Sequence, residues 1–223
     1  MTLASPDTVT RQVWDLPTRL FHWLLVASIT FAWWSAETGH IDWHLDAGYV
    51  VLGLVVFRLY WGVVGSSTAR FAQFVRGPRT TLAALGSALK RAPSAVVGHN
   101  PLGAWSIVAM LSLITAQVTL GLFAVDTDGL ASGPLSDRVD FDTARLCAIY
   151  HGVLFDVLEG LIVLHLLAVL FYLVYKRDNL IGPMIHGTRR DGASAIIAPF
   201  WRALPGVVLA SAVVWFIAHG LKF

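Results

Sequence analysis

Five stretches of this chain are apolar enough and long enough to cross a bilayer, and that limits its fold more than any other feature. Leu20 to Ala36 has no charged side chain in 17 positions, and Pro17 just before it suits the first turn of a helix. A second stretch runs from about Trp43 to Val64 and carries Arg58. Leu102 to Val125 is uncharged for 24 residues, ample for a hydrocarbon core of about 30 Å at about 1.5 Å per residue. The fourth runs from near Thr143 to Tyr175 with Asp156 and Glu159 inside it, and the fifth, Leu204 to about Leu221, opens with Leu-Pro-Gly. With 56% hydrophobic and 13% charged residues, a water-soluble globule is nearly excluded. The expected fold is an all-α, polytopic membrane bundle of four core helices and a fifth outside them.

Charge orients the chain. Glu37, Asp42 and Asp46 separate the first two spans, and five aspartates face only Arg138 and Arg145 between the third and fourth. The link from Gly65 to Pro101 carries Arg70, Arg76, Arg79, Lys90 and Arg91 without an acid, and the link before the fifth span carries Lys176, Arg177, Arg189, Arg190 and Arg202. The positive-inside rule makes the basic links and the N-terminus cytoplasmic and the C-terminus external. The expected organisation is a cytoplasmic tail (1–19), a four-helix core (20–177) that includes a basic loop (65–101), and a linker with the fifth span (178–223). Within that loop, Ala69 to Arg91 mixes Phe71, Phe74, Val75, Leu82, Leu85 and Leu89 with basic residues, as a helix lying on anionic lipid would. The N-terminus before the first apolar run is polar and no small-residue cleavage site closes that run, so the first helix reads as retained. Tryptophans and tyrosines near span ends, among them Trp33, Trp34, Trp43, Trp61 and Tyr175, read as an aromatic belt.

Histidines inside spans are expensive, and each raises a functional question. His151 and His165 stand 14 residues apart, so at about 100° per residue they share one helix face and lie about 21 Å apart along the axis. His22 falls at the inner end of the first span and His44 at the outer end of the second. Topology therefore pairs His22 with His165 and His44 with His151. Any one of these could be a hydrogen-bonded structural histidine, but two depth-matched pairs point to ligation. Two imidazoles facing each other across a bundle can hold one iron from both axial sides, so two pairs imply two stacked b haems suited to electron transfer rather than oxygen chemistry. Gly48, Gly152 and Gly160 would let a porphyrin come close to backbone. The single cysteine, Cys147, excludes a disulfide, a four-cysteine zinc site and covalent haem attachment.

Three stretches carry a resemblance: Val-Trp-Asp-Leu-Pro-Thr-Arg-Leu-Phe-His22-Trp; His44-Leu-Asp-Ala-Gly48-Tyr leading to Phe-Arg58-Leu-Tyr-Trp61-Gly; and Tyr-His151-Gly with His165 fourteen residues on. They resemble the bacterial cytochrome b561 and nickel-iron hydrogenase cytochrome b subunit superfamily, and Asn179 to Gly187 resembles a motif of its hydrogenase-type branch. The resemblance spans roughly Val13 to Arg190. It implies a di-haem inner-membrane carrier that exchanges electrons with quinone, with His22, His44, His151 and His165 as axial ligands. A hydrogenase small subunit or a periplasmic c-type cytochrome would serve as the external partner. A superoxide oxidase reducing ubiquinone is a second reading within the superfamily, against which the Asp-rich outer loops weigh; a haem-free metal transporter is the alternative from another class. No nucleic-acid partner is expected.

Arg58 lies 14 residues after His44 and so falls near the inner haem level, where its guanidinium could pair a propionate; Arg19 is a second residue at that level. Asp156 and Glu159 are turned away from the ligand face and are expected to hydrogen-bond to another helix.

Overall fold

The computed structural model describes residues 10–75, 77–88, 98, 101–128, 131–189 and 194–220. Its first helix, α1 (Leu16–Glu37), starts where the Asp15 carboxylate accepts from the Thr18 N–H at 2.7 Å, with Pro17 in the opening turn. It ends at Thr38, and Gly39, at φ +75°, turns the chain back into α2 (Ile41–Val64), which packs along α1. Two short helices follow, α3 (Phe71–Phe74) and α4 (Pro78–Ala88), and then α5 (Pro101–Phe123). A loop with a bridge between Val125 and Ser132 and a 3-10 turn at Ser136–Arg138 leads to α6 (Phe141–Val174). The chain continues through α7 (Ile181–His186) to α8 (Ala203–Ala218), which packs on α2.

The core joins Val51 and Val55 of α2 to Leu111 and Ile114 of α5 and Leu158 of α6, with Leu25 and Ile29 of α1 against it. Leu158 stands midway between His151 and His165 in sequence, so this apolar layer separates the two histidine levels. On the other side of α6 a stripe including Val153, Val157, Leu164, Leu167 and Leu170 is at least half exposed, the surface a bilayer would cover.

Among the described residues, four helical stretches are long and apolar enough to cross a membrane: Ile41–Val64, Pro101–Phe123, Phe141–Val174 and Phe200–Ala218. The expected count was five. α1 matches the others in length, but His22, Ser28, Thr30 and Ser35 dilute its apolar run, and Arg19 and Glu37 bound it closely.

Several expectations are corrected. Within the expected N-terminal tail, 1–19, the described residues join the fold: Arg11–Gln12 pairs antiparallel with Thr188–Arg189, Val13 and Trp14 donate to the Gly187 carbonyl, and Val13, Trp14 and Asp15 are buried. The single surface helix expected over 69–91 is two helices, broken between Phe74 and Pro78; its end, Leu89 to Arg91, lies outside the described residues. Trp61 is fully buried rather than part of a belt, whereas Trp33, Trp34, Trp43 and Tyr175 are exposed. Asp156 and Glu159 make no bond to another helix among the described residues; both lie on the exposed face of α6, because their rotation from the core-facing Leu158 carries them outward.

Candidate functional site

His44 opens α2 beside the last turns of α1, and its Nδ1–H donates to the Ala32 carbonyl at 2.8 Å. His151 of α6 donates Nδ1–H to the Gln117 carbonyl of α5 at 2.9 Å. A carbonyl can only accept, so each ring carries its proton on Nδ1 and keeps the Nε2 lone pair free. The two ring centres lie 5.9 Å apart with planes at 84°. Metal–imidazole bonds of about 2 Å on opposite sides of one ion put ring centres roughly 6 Å apart, so the pair fits a bis-imidazole iron.

A cavity of about 310 Å³ opens between them, with Gly48, Tyr49, Gln117, Gly121 and Phe155 in its walls. A Cβ added at Gly48 or Gly152 would meet nothing within 4 Å, which leaves open space beside both histidines. The added Cβ at Gly121 would instead stand 2.9 Å from His151 Cε1, so the ring occupies the place of a side chain there. Sequence reasoning missed Gly121 and Gln117. The available signal was a buried amide one helical turn before a glycine in an otherwise apolar span. Gln117 is 9% exposed, and its Oε1 is buried without a partner.

At the other end of the bundle, His22 and His165 are half-buried and close enough to interact electrostatically. The Nδ1 of His22 is buried without a hydrogen-bond partner, an orphan that a bare helix bundle does not explain. This pair is not drawn into ring contact as the first is. Arg58 is 4% exposed, its guanidinium 4.7 Å from the Phe71 ring centre and 5.9 Å from that of Phe21, the neighbour of His22. Its Nη1 is buried and unpartnered, a donor available to a carboxylate. Arg19 is partly committed: Nη1 donates to the Ile185 carbonyl, while Nε is buried without a partner. The Asp15 carboxylate, 2% exposed, also accepts from Trp61 Nε1–H, and it interacts electrostatically with Arg58.

Apolar helices around a cavity flanked by facing imidazoles define the class: a helical membrane bundle built to hold a planar metal group. The model for the family described as prokaryotic cytochrome b561 matches residues 13–187, most of the chain, and this protein belongs to that family. It is a haem-binding, b-type cytochrome of electron transport, a multi-pass membrane protein. It is similar to a probable Ni/Fe-hydrogenase B-type cytochrome subunit of Azotobacter chroococcum mcd 1, 24% identical over 209 residues that cover 79% of this chain and 87% of that protein. No solved structure matches.

Proposed function

We propose that the chain holds two b haems, one between His44 and His151 and one between His22 and His165, and passes electrons between a redox partner and membrane quinone. Each haem supplies reversible one-electron exchange between ferric and ferrous iron. The chain supplies the rest. Carbonyls of Ala32 and Gln117 hold the His44 and His151 rings with Nε2 free, and the helices exclude water. Arg58, with Arg19 beside the same level, compensates propionate charge at the His22 end. The observation that carries this is the His44 and His151 pair, whose separation suits one iron.

The acid-rich loops, 37–46 and 126–142, support a topology with the His44 end outside a bacterial inner membrane, and the basic links support one with the His22 end in the cytoplasm. On that topology α1 also spans, and the five helices alternate in direction. The core is 20–177, and α8 packs on its outside against α2. The hydrogenase association in the name of the Azotobacter relative supports a hydrogenase as the external partner. Quinone takes up two electrons and two protons to become quinol.

The test is haem content per chain with the reduced-minus-oxidised spectrum of protein purified from haem-replete cells. Two low-spin b haems are expected, falling to one in His151→Ala and in His22→Ala. A colourless folded preparation, or full haem content in both variants, would overturn the assignment.

A further inference from the structure

The two histidine pairs are held in different ways. His44 and His151 each donate Nδ1–H to a main-chain carbonyl, at 2.8 and 2.9 Å. The Nδ1 of His22 is buried without a partner, and neither ring nitrogen of His165 is hydrogen-bonded among the described residues. Direct packing of their helices does not supply the missing hold, since α1 packs chiefly along α2 and α6 chiefly along α5.

The segment 178–189, which bears none of the four histidines, joins the two helices at this level. It starts on the helix of His165. Asp178 N–H donates to the Tyr172 carbonyl in the last turn of α6 at 2.9 Å, and the buried Asp178 carboxylate accepts from Arg189 Nη2 at 2.6 Å. Asn179 Oδ1 then accepts from the N–H groups of Ile181 and Gly182, at 3.0 and 2.9 Å, and so opens α7. The segment finishes on the helix of His22. The last carbonyls of a helix have no partner within it, and two of those in α7 are bonded from α1. Trp23 Nε1–H donates to the Met184 carbonyl at 3.1 Å, and Arg19 Nη1–H donates to that of Ile185. Arg19 and Trp23 stand four residues apart on one face of α1, with His22 between them in sequence. The Trp23 ring meets the His22 ring edge-on, with centres 5.0 Å apart and planes at 88°.

We infer that α7 is a brace between the helices that carry His22 and His165, with Trp23 and Asn179 as its positioning residues. Through the Met184 carbonyl and the cap of α7, they set the separation of the two histidines and the orientation of the His22 ring. This rests on the two-haem reading proposed above. Groups beyond the first ligands fix the orientation of a metal-bound imidazole. The outer rings have carbonyls for that purpose, and the inner pair has α7.

The experiment is electron paramagnetic resonance of the full-length, haem-loaded, oxidised protein in lipid nanodiscs, with haem content and thermal midpoint measured on the same preparation. The g values of a low-spin ferric iron follow the relative orientation of its two axial rings, so the two sites give separate signals. The inner signal is the one missing in His22→Ala. Trp23→Phe keeps an aromatic edge and removes the donor, whereas Asn179→Ala removes the cap of α7 without altering α1. Each is expected to shift the largest g value of the inner signal, with two haems retained and the outer signal in place. Asn179→Asp, whose carboxylate accepts the same two bonds, restores the wild-type signal. A lower thermal midpoint with the inner signal unmoved would overturn the brace. So would an equal shift in both signals, or a failure of Asn179→Asp to restore what Asn179→Ala changes. Should Trp23→Phe not retain the inner haem, the Asn179 variants decide by the same criteria. Haem content separates the two levels of failure. One haem per wild-type chain removes the two-site reading and the brace with it, whereas two haems with an unmoved inner signal remove the brace alone.

Discussion

Asp15 and Trp61 tie the start of α1 to the end of α2: Asp15 Oδ2 accepts from Trp61 Nε1–H at 3.1 Å, and both residues are all but excluded from solvent. The other oxygen, Oδ1, caps α1 through Thr18. One carboxylate thus sets the position of α1, and with it the depth of His22 about two turns further on. Trp61→Phe keeps the buried ring and removes the donor, leaving a charged oxygen unmatched in the interior. The expected loss is about 1–3 kcal/mol. It is measured as a lower midpoint for thermal unfolding in detergent, and an unchanged midpoint would show that the bond contributes nothing.

Gly206 of α8 faces Tyr60 and Phe57 of α2, and an added Cβ would collide with the Tyr60 ring. The same face of α2 meets α8 again where a Cβ at Gly53 would come 3.4 Å from Val214 Cγ2. His44, Gly48 and Val51 line the cavity from a different face. Gly206→Val should therefore cost about 1–3 kcal/mol through overpacking and loosen α8 without changing haem content. Protease sensitivity around residues 194–203, set against the visible spectrum, separates the two effects. Haem lost in step with α8 would show that α8 supports the cofactor sites.

Asp140 caps α6, the helix that carries His151 and His165, and its carboxylate accepts from the Thr143 N–H at 2.9 Å and the Thr143 hydroxyl at 2.7 Å. These bonds hold the Asp140 carboxyl below the ordinary aspartate range. A group with a depressed folded-state pKa contributes stability that is present above its unfolded value and lost as pH falls through the folded one. The protection factors of the Thr143 and Ala144 amides, corrected for the intrinsic pH dependence of exchange, should therefore stay high at neutral pH and fall only in acid below the usual aspartate pKa. Asp140→Ala should exchange fast at neutral pH, with no such acid transition. A wild-type profile that changes between pH 5 and 7 would refute the cap as its source.

Helix geometry made the histidine pairs visible in the sequence, because a 14-residue interval fixes both face and depth without knowledge of any partner. What holds the imidazoles was not visible. Ala32 and Gln117 reach His44 and His151 across 12 and 34 residues of chain, and a main-chain carbonyl leaves no mark on residue type. Trp61 was misread for a similar reason: a tryptophan near a span end reads as a belt residue until its acceptor, 46 residues away, is known. The first helix begins at Leu16 rather than Leu20 because its cap, Asp15, is polar and a scan for apolar runs passes over it. Arg58 stands over Phe21, the neighbour of His22, but its burial depends on Phe71, which only the fold of the inner loop brings against it.

Asp156 and Glu159 stand on the exposed face of α6, a helix long and apolar enough to cross a membrane, and bond to no described residue. A carboxyl group near the middle of a span costs on the order of 2.5–3.5 kcal/mol when it stays charged, and protonation or snorkelling reduces that. Neither residue faces the cavity beside His44 and His151. Asp156→Leu and Glu159→Leu should each therefore stabilise the isolated haem-loaded chain in a bilayer, by roughly 1–2 kcal/mol once protonation is allowed for, and leave the visible spectrum unchanged. Denaturant titration of the protein in lipid nanodiscs, followed by haem release, measures the gain. A loss of stability in either variant would contradict the outward placement of these carboxylates and point to a bond that holds α6 in the bundle.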